Sequence, residues 1–305
     1  MKLHTLDLHF LKTPQVIAAY ALVGANSVAL VETGPGSTLP TLLTALADLG
    51  IQPTDVRDVL LTHIHLDHAG AAGWWARQGA TLHVHPLGAP HLVDPSKLLT
   101  SAQRIYGDQM DHLWGEFLSA PADKVHIVRD GDILNFVGAE IQVIETSGHA
   151  RHHHAYQIDD LAFTGDAAGV RLPGLSWITL PTPPPEFELE VWQTTIQKLT
   201  ALNLTKIYLT HFGEVRNPTD HFARFAPLLR ETANLVRDLM GLGLNRAEIL
   251  EKYTEWYTAR AEAAGVDSAT RDHHARANNL PMCVDGMMRY WTKLGVGWSS
   301  SQKTT

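Results

Sequence analysis

The chain has 305 residues, 45% of them hydrophobic and 18% charged, with a formal net charge of −8. That composition excludes a disordered chain, and the acidity argues against a nucleic-acid partner. A single cysteine, Cys283, excludes an intrachain disulfide and reads as a buried small hydrophobe, while 18 histidines turn attention to metal binding and acid–base chemistry.

Met1–Lys12 lacks the apolar stretch of a signal peptide, and Val16–Val31 is too short to span a bilayer and is broken by Gly24, Asn26 and Ser27. The expected location is the cytoplasm, without a membrane partner. Short Val-, Ile- and Leu-rich runs bounded by Gly, Asp or Pro predict strands over Val16–Val23, Val28–Glu32, Val56–Thr62, Thr81–His85, Lys124–Val128, Ile133–Phe136, Ile141–Glu145, Ala155–Ile158, Leu161–Thr164 and Lys206–Thr210. Helices are predicted between them at Thr38–Leu49, Ala69–Gln78 and Glu188–Leu202; the first two end at Gly50 and Gly79. Leu98–Leu118 interrupts the alternation with helical spacing and carries Tyr106, Trp114 and Phe117, as a lid or packed insertion would. From Pro218 onward strand signals stop, and His221–Leu239, Arg246–Ala263 and Pro281–Leu294 read as amphipathic helices. The polar tail Ser299–Thr305 is expected to fray.

The strongest chemical signal is Thr62-His63-Ile64-His65-Leu66-Asp67-His68, which follows the apolar strand Val59-Leu60-Leu61. His63 and His65, two apart in extended backbone, point the same way, whereas Asp67 and His68 follow the turn and point elsewhere. One loop can therefore serve two neighbouring cations. Three more strands end in ligand types: Ile141–Glu145 runs into Gly148-His149, Leu161–Thr164 into Gly165-Asp166, and Ile207–Thr210 into His211. Binding sites collect beyond strand ends in α/β sheets, and the small residues Gly148, Gly165 and Gly213 allow close backbone approach.

This order of blocks resembles the metallo-β-lactamase superfamily: His-x-His-x-Asp-His, then Gly-His, Gly-Asp and a late Thr-His, over about residues 15–215. Glu32-Thr33-Gly34 looks like that family's early Asp-Thr-Gly turn with Glu in place of Asp, and Ser147 replaces a usual Pro. The overall pattern is similar to a glyoxalase II-like bacterial and archaeal branch with a helical C-terminal region. The resemblance implies an α/β fold, a four-layer αβ/βα sandwich with a helical C-terminal extension. It implies a catalytic domain over residues 1–215 and a helical region over 216–305 that packs on the core or mediates homodimerisation. It also implies that His63, His65 and His149 hold one metal, that Asp67, His68 and His211 hold a second, and that Asp166 bridges them. His152, His153 and His154 read as supports of the site or as structural residues rather than as ligands.

Imidazole with two carboxylates suits zinc, and also manganese or iron. Two divalent ions about 3.5–4 Å apart would activate water between them, with Asp67 orienting the nucleophile and passing a proton to the leaving group. The expected function is hydrolysis of an ester, thioester or lactone of a small molecule. A phosphodiesterase, or a mononuclear iron persulfide dioxygenase, is the alternative. Trp177, Phe187, Tyr106 and Trp114 are candidates for an apolar pocket, and Arg171 for meeting an anion. The remaining histidines, His83, His85, His91, His112, His126, His221, His273 and His274, show no partner pattern and read as structural or exposed.

Overall fold

Alternating runs of small and branched apolar residues form two six-stranded sheets in the computed structural model, which describes residues 1–296; the Ser299–Thr305 tail lies outside the described residues. The first sheet holds β1 (Lys2–Asp7), β2 (Ala18–Val23), β3 (Val28–Val31), β4 (Val56–Leu60), β5 (Thr81–Val84) and β6 (Val125–Ile127), in that order. Its first pairings are antiparallel hairpin partners; β3 to β6 run parallel. The second sheet runs from β7 (Ile133–Phe136) through β8 (Ala139–Glu145), β9 (His154–Ile158), β10 (Leu161–Phe163) and β11 (Lys206–Leu209) to β12 (Gly213–Val215). Only β10 and β11 are parallel there.

Side chains that alternate inward from both sheets meet in a central layer with Tyr20, Ile141, Tyr156, Phe163 and Tyr208. The outer face of the first sheet is covered by α1 (Leu39–Asp48), α2 (Leu66–Ala69), α3 (Ala72–Arg77), α4 (Ala89–Val93), α5 (Ser96–Tyr106) and α6 (Met110–Trp114), over a core that includes Leu42, Leu46 and Trp75. The outer face of the second sheet is covered by α7 (Leu189–Ala201), α8 (Pro218–Gly241), α9 (Arg246–Ala263) and α11 (Leu280–Lys293), through Trp192, Phe225, Val284 and Met287. The layers are therefore αβ/βα, with a helical C-terminal region. α10 (Ser268–Ala277) brings His274 against Trp177. Among the described residues no helix is long and apolar enough to cross a membrane.

Four elements differ from expectation. β1 and β12 carry weak strand signals, β1 because His4 and Asp7 interrupt its apolar pattern, and β12 because it is three residues long and begins with glycine. The helix expected over Ala69–Gln78 is two short pieces, α2 and α3, with Gly70 pressed against Pro35 between them. α10 has a low apolar content and was not expected; Asp267 caps it by accepting a hydrogen bond from the Thr270 N–H.

Candidate metal centre

All seven residues expected to bind metal converge at one edge of the central layer, each at or just beyond a strand end. His63 and His65 follow β4, Asp67 and His68 lie in the first turn of α2, His149 follows β8, Asp166 follows β10 and His211 follows β11. Close backbone approach is needed at two of these turns. A Cβ on Gly148 would lie 2.4 Å from the Cα of Trp192, and one on Gly165 would lie 2.5 Å from Thr62 Oγ1. Gly213 differs: nothing crowds it, and glycine is needed there for its φ of 78°.

Two sets of donor atoms face each other. His63 Nε2 lies 2.9 Å from His65 Nδ1, which lies 3.1 Å from His149 Nε2. On the other side, Asp67 Oδ2 is 3.3 Å from His211 Nε2 and 3.8 Å from His68 Nε2. Asp166 lies between the sets, with Oδ2 3.3 Å from His149 Nε2 and Oδ1 3.4 and 3.5 Å from His68 and His211.

The partners of the outward-facing nitrogens fix where the ring protons sit. His149 Nδ1 donates to the Pro181 carbonyl at 2.7 Å, and His211 Nδ1 to the Val16 carbonyl at 2.8 Å. His68 Nδ1 donates to Glu32 Oε1 at 2.9 Å. The single hydroxyl proton of Thr62 goes to Glu32, so Thr62 Oγ1 accepts from His63 Nδ1 at 3.1 Å. All four rings are thus held with their protons outward and their Nε2 lone pairs inward. That is the arrangement metal-bound imidazoles adopt. His68 Nε2 and Asp166 Oδ1 are buried and make no hydrogen bond; a buried group in that state is costly unless a cation satisfies it. The donor set therefore fits metal ions.

The charges point the same way. Burial, then the neighbouring rings, pushes His63 well below the ordinary imidazole pKa and His65 down to about 3. Burial disfavours charge on His68 and His211 too, but Asp166 and Asp67 outweigh it, with Glu32 adding to the effect on His68, and both are raised. Burial likewise opposes ionisation of Asp166, yet His68, His149 and His211 hold it well below the carboxylate range. These carboxylates demand positive charge, which protons meet only by charging buried rings.

The expectation that His153 supports the site holds in the geometry: its Nε2 accepts the Asp166 N–H at 3.2 Å, and its Nδ1 donates to Thr146 Oγ1 at 2.8 Å. Glu32 is the residue whose role the sequence did not disclose. It is buried in left-handed backbone at φ 65°, which a non-glycine residue keeps only when its surroundings hold it. Its carboxylate collects donors from the Thr62 amide and hydroxyl, His68 and Thr210. With three of those donors on Oε1, Glu32 is placed to orient the His68 ring among the candidate ligands. The early Glu-Thr-Gly turn was its only sequence signal.

A cavity of about 570 Å³ opens onto this cluster, with His65, Asp67, His149 and Asp166 at its floor. Tyr106 and Trp114 line it as expected, and Phe10 stacks on Trp114 with ring centroids 5.7 Å apart. The Leu98–Leu118 segment is the strap that walls it, tied down where Ser37 Oγ donates to the Leu113 carbonyl at 2.6 Å. Asn279, Met282 and Cys283 bring the C-terminal region to the same wall. Trp177 and Phe187 do not line it; they pack in the core against Tyr257 and Tyr290. Arg171 is also elsewhere, with Nε donating to the Leu175 carbonyl at 2.7 Å. Cys283 is a buried thiol with its pKa pushed up to about 11 by burial, which suits packing and not nucleophilic attack.

The sequence pattern of the metallo-beta-lactamase superfamily matches residues 13–211, which takes in every one of these strand ends. The chain belongs to the metallo-beta-lactamase superfamily. Among superfamily relatives it is 26% identical over 260 residues to a metallo-beta-lactamase fold-containing protein of Sulfurisphaera tokodaii, covering 83% of this chain and 93% of that one. It is 31% identical over 147 residues to a hydroxyacylglutathione hydrolase of Xylella fastidiosa, a match that spans 48% of this chain and 43% of that enzyme. In fold it is similar to a metallo-beta-lactamase family protein of Thermus thermophilus, with a TM-score of 0.67 and 21% identity over 96% of this chain and 94% of that one.

Proposed function

We propose that this protein is a binuclear metal-dependent hydrolase acting on an ester, thioester or lactone of a small molecule with an apolar body. The observation that carries the reading is the proton pattern of the rings: His63, His68, His149 and His211 all donate outward and leave their inner lone pairs aimed at one space. His63 Nε2, His65 Nδ1 and His149 Nε2 would hold one ion, Asp67, His68 and His211 a second, and Asp166 would bridge them.

Two divalent ions, zinc before manganese or iron, supply Lewis acidity and lower the pKa of water to about 7, so that a nucleophile is present at neutral pH. The chain's own residues do the rest. Glu32 and the Pro181 and Val16 carbonyls fix ring orientation, and His153 fixes Asp166 through its backbone. Asp67 is held ionised at a pKa of about 2, because His68 and His211 outweigh the opposing effect of burial. That charge suits it to accept a hydrogen bond from water and orient it. The strap and α11 exclude bulk water and give the substrate's apolar part a wall. Support for ester-type chemistry comes from the match to a hydroxyacylglutathione hydrolase and from the acidic overall charge, which suits small or neutral substrates rather than polyanions.

The test is turnover of ester, thioester, lactone and phosphodiester panels by protein loaded in turn with zinc, manganese and iron. Turnover confined to carbonyl substrates is the expected result. Turnover of phosphodiesters alone would replace this reading with the phosphodiesterase.

A further inference from the structure

Tyr106 ends α5, the strap helix, and its side chain lines the cavity together with Asp67 and Asp166. Its ring is held edge-on to Trp114 at a centroid distance of 5.0 Å, so the phenol is fixed in position rather than free to swing. Among the described residues its hydroxyl reaches only the Met282 thioether, 3.5 Å away. Sulfur there is a weak acceptor, so a well-placed O–H donor faces the cavity without a strong partner. Burial, then the nearby Asp67 charge, raises its pKa, and the phenol keeps its proton at neutral pH. The candidate ligands that line the cavity, His65, Asp67, His149 and Asp166, come from strand ends and the first turn of α2, whereas Tyr106 comes from the strap. A substrate whose reacting carbonyl is held at those ligands can present its departing group to the strap.

We infer that Tyr106 donates a hydrogen bond to the departing oxygen of the substrate, a leaving-group role that rests on the hydrolytic reading above. In the overall step, the water oxygen bonds to the carbonyl carbon and the C–O bond to the leaving group breaks. The electron pair of that bond stays on the departing oxygen. Tyr106 stabilises the pair as it develops, and the proton that neutralises it comes from the attacking water. The phenol is unchanged when turnover ends, and the sum is ester plus water giving acid plus alcohol.

The experiment compares metal-loaded wild type and Tyr106→Phe on esters of one acyl group whose leaving groups run from p-nitrophenol through phenol to simple alcohols. Phenylalanine keeps the packing on Trp114 and removes only the donor. A hydrogen bond to a departing oxygen matters most when that oxygen is a poor anion. The expected loss in kcat is on the order of a hundredfold on alkyl esters and less than about threefold on p-nitrophenyl esters, with metal content unchanged. Equal losses across the series, or none, overturn the assignment, because a packing defect does not sense the leaving group. A wild type that turns over no member of the series overturns the assignment, and one that also leaves thioesters and lactones intact overturns the hydrolytic reading itself. As a second arm, 3-fluorotyrosine at position 106 keeps the shape and strengthens the donor. It is expected to raise alkyl-ester turnover relative to p-nitrophenyl turnover, and an unchanged ratio counts against the role.

Discussion

Two clusters in this molecule have nearly the same composition and opposite chemistry. One is the candidate metal centre; the other is His85, Glu145 and His154, whose ligand-type atoms also lie within 4.8 Å of one another. His85 follows β5 in the first sheet, and Glu145 and His154 are a cross-strand pair on β8 and β9 in the second. The difference lies in the outward nitrogens. His149 and His211 donate theirs to backbone carbonyls, whereas His85 Nδ1 accepts the Leu87 N–H at 3.0 Å. His85 must therefore carry its proton on Nε2, which lies 3.0 Å from Glu145 Oε2 and donates to it. His154 Nε2 lies 3.3 Å from the same oxygen, and Ser147 donates to the other one. The His85 nitrogen that faces Glu145 therefore already carries its proton, and the cluster joins the two sheets through that hydrogen bond. Residue types and distances alone do not separate metal sites from proton-sharing clusters; the polarity of the groups behind the rings does.

The largest expected effect that tests this contrast is at Asp166. Asp166→Ala should lower metal content by elemental analysis and cut turnover by more than about a hundredfold, beyond the range seen when only a supporting residue is lost. Next, Glu32→Gln places an amide among groups that all donate. It should weaken metal binding about 10- to 100-fold in a chelator competition while leaving every ligand in place. Acidification comes third. His68 and His211 have raised pKa values, so protons compete for their inner nitrogens; metal content at fixed free metal should fall as pH is lowered, beginning above the ordinary imidazole pKa of about 6.5. The smallest effect belongs to the other cluster. Burial raises the Glu145 pKa, but hydrogen bonds from His154, His85 and Ser147 outweigh it and hold the carboxyl well below its usual range. A depressed carboxylate stabilises the fold above its unfolded pKa of about 4.3, and that contribution fades as pH falls below it. Glu145→Gln should therefore lose less melting temperature than wild type between pH 6 and pH 3, with metal content unchanged at neutral pH.

The candidate ligand residues were legible because each is local: a short apolar strand running directly into His or Asp. Four such blocks, with the Glu32-Thr33-Gly34 turn ahead of them, also carried the fold. What surrounds the ligands was not legible, because its contacts join distant parts of the chain. Glu32 reaches Thr210 across 178 positions, and His211 reaches the Val16 carbonyl across 195. His85 looked unpartnered in sequence since Glu145 lies 60 positions away in the other sheet. Aromatic residues were the least legible. Tyr106 and Trp114 carry the same apolar signal as Trp177 and Phe187, and only the path of the strap puts the first pair in the cavity and leaves the second in the core.

The most direct test of the binuclear centre is metal stoichiometry by elemental analysis of wild type, Asp166→Ala and His85→Ala, each purified without chelator after growth with zinc. A binuclear centre predicts about two ions per chain in wild type and His85→Ala, and a sharp fall in Asp166→Ala. One ion per chain in wild type, or a loss of metal in His85→Ala comparable to that in Asp166→Ala, would contradict it.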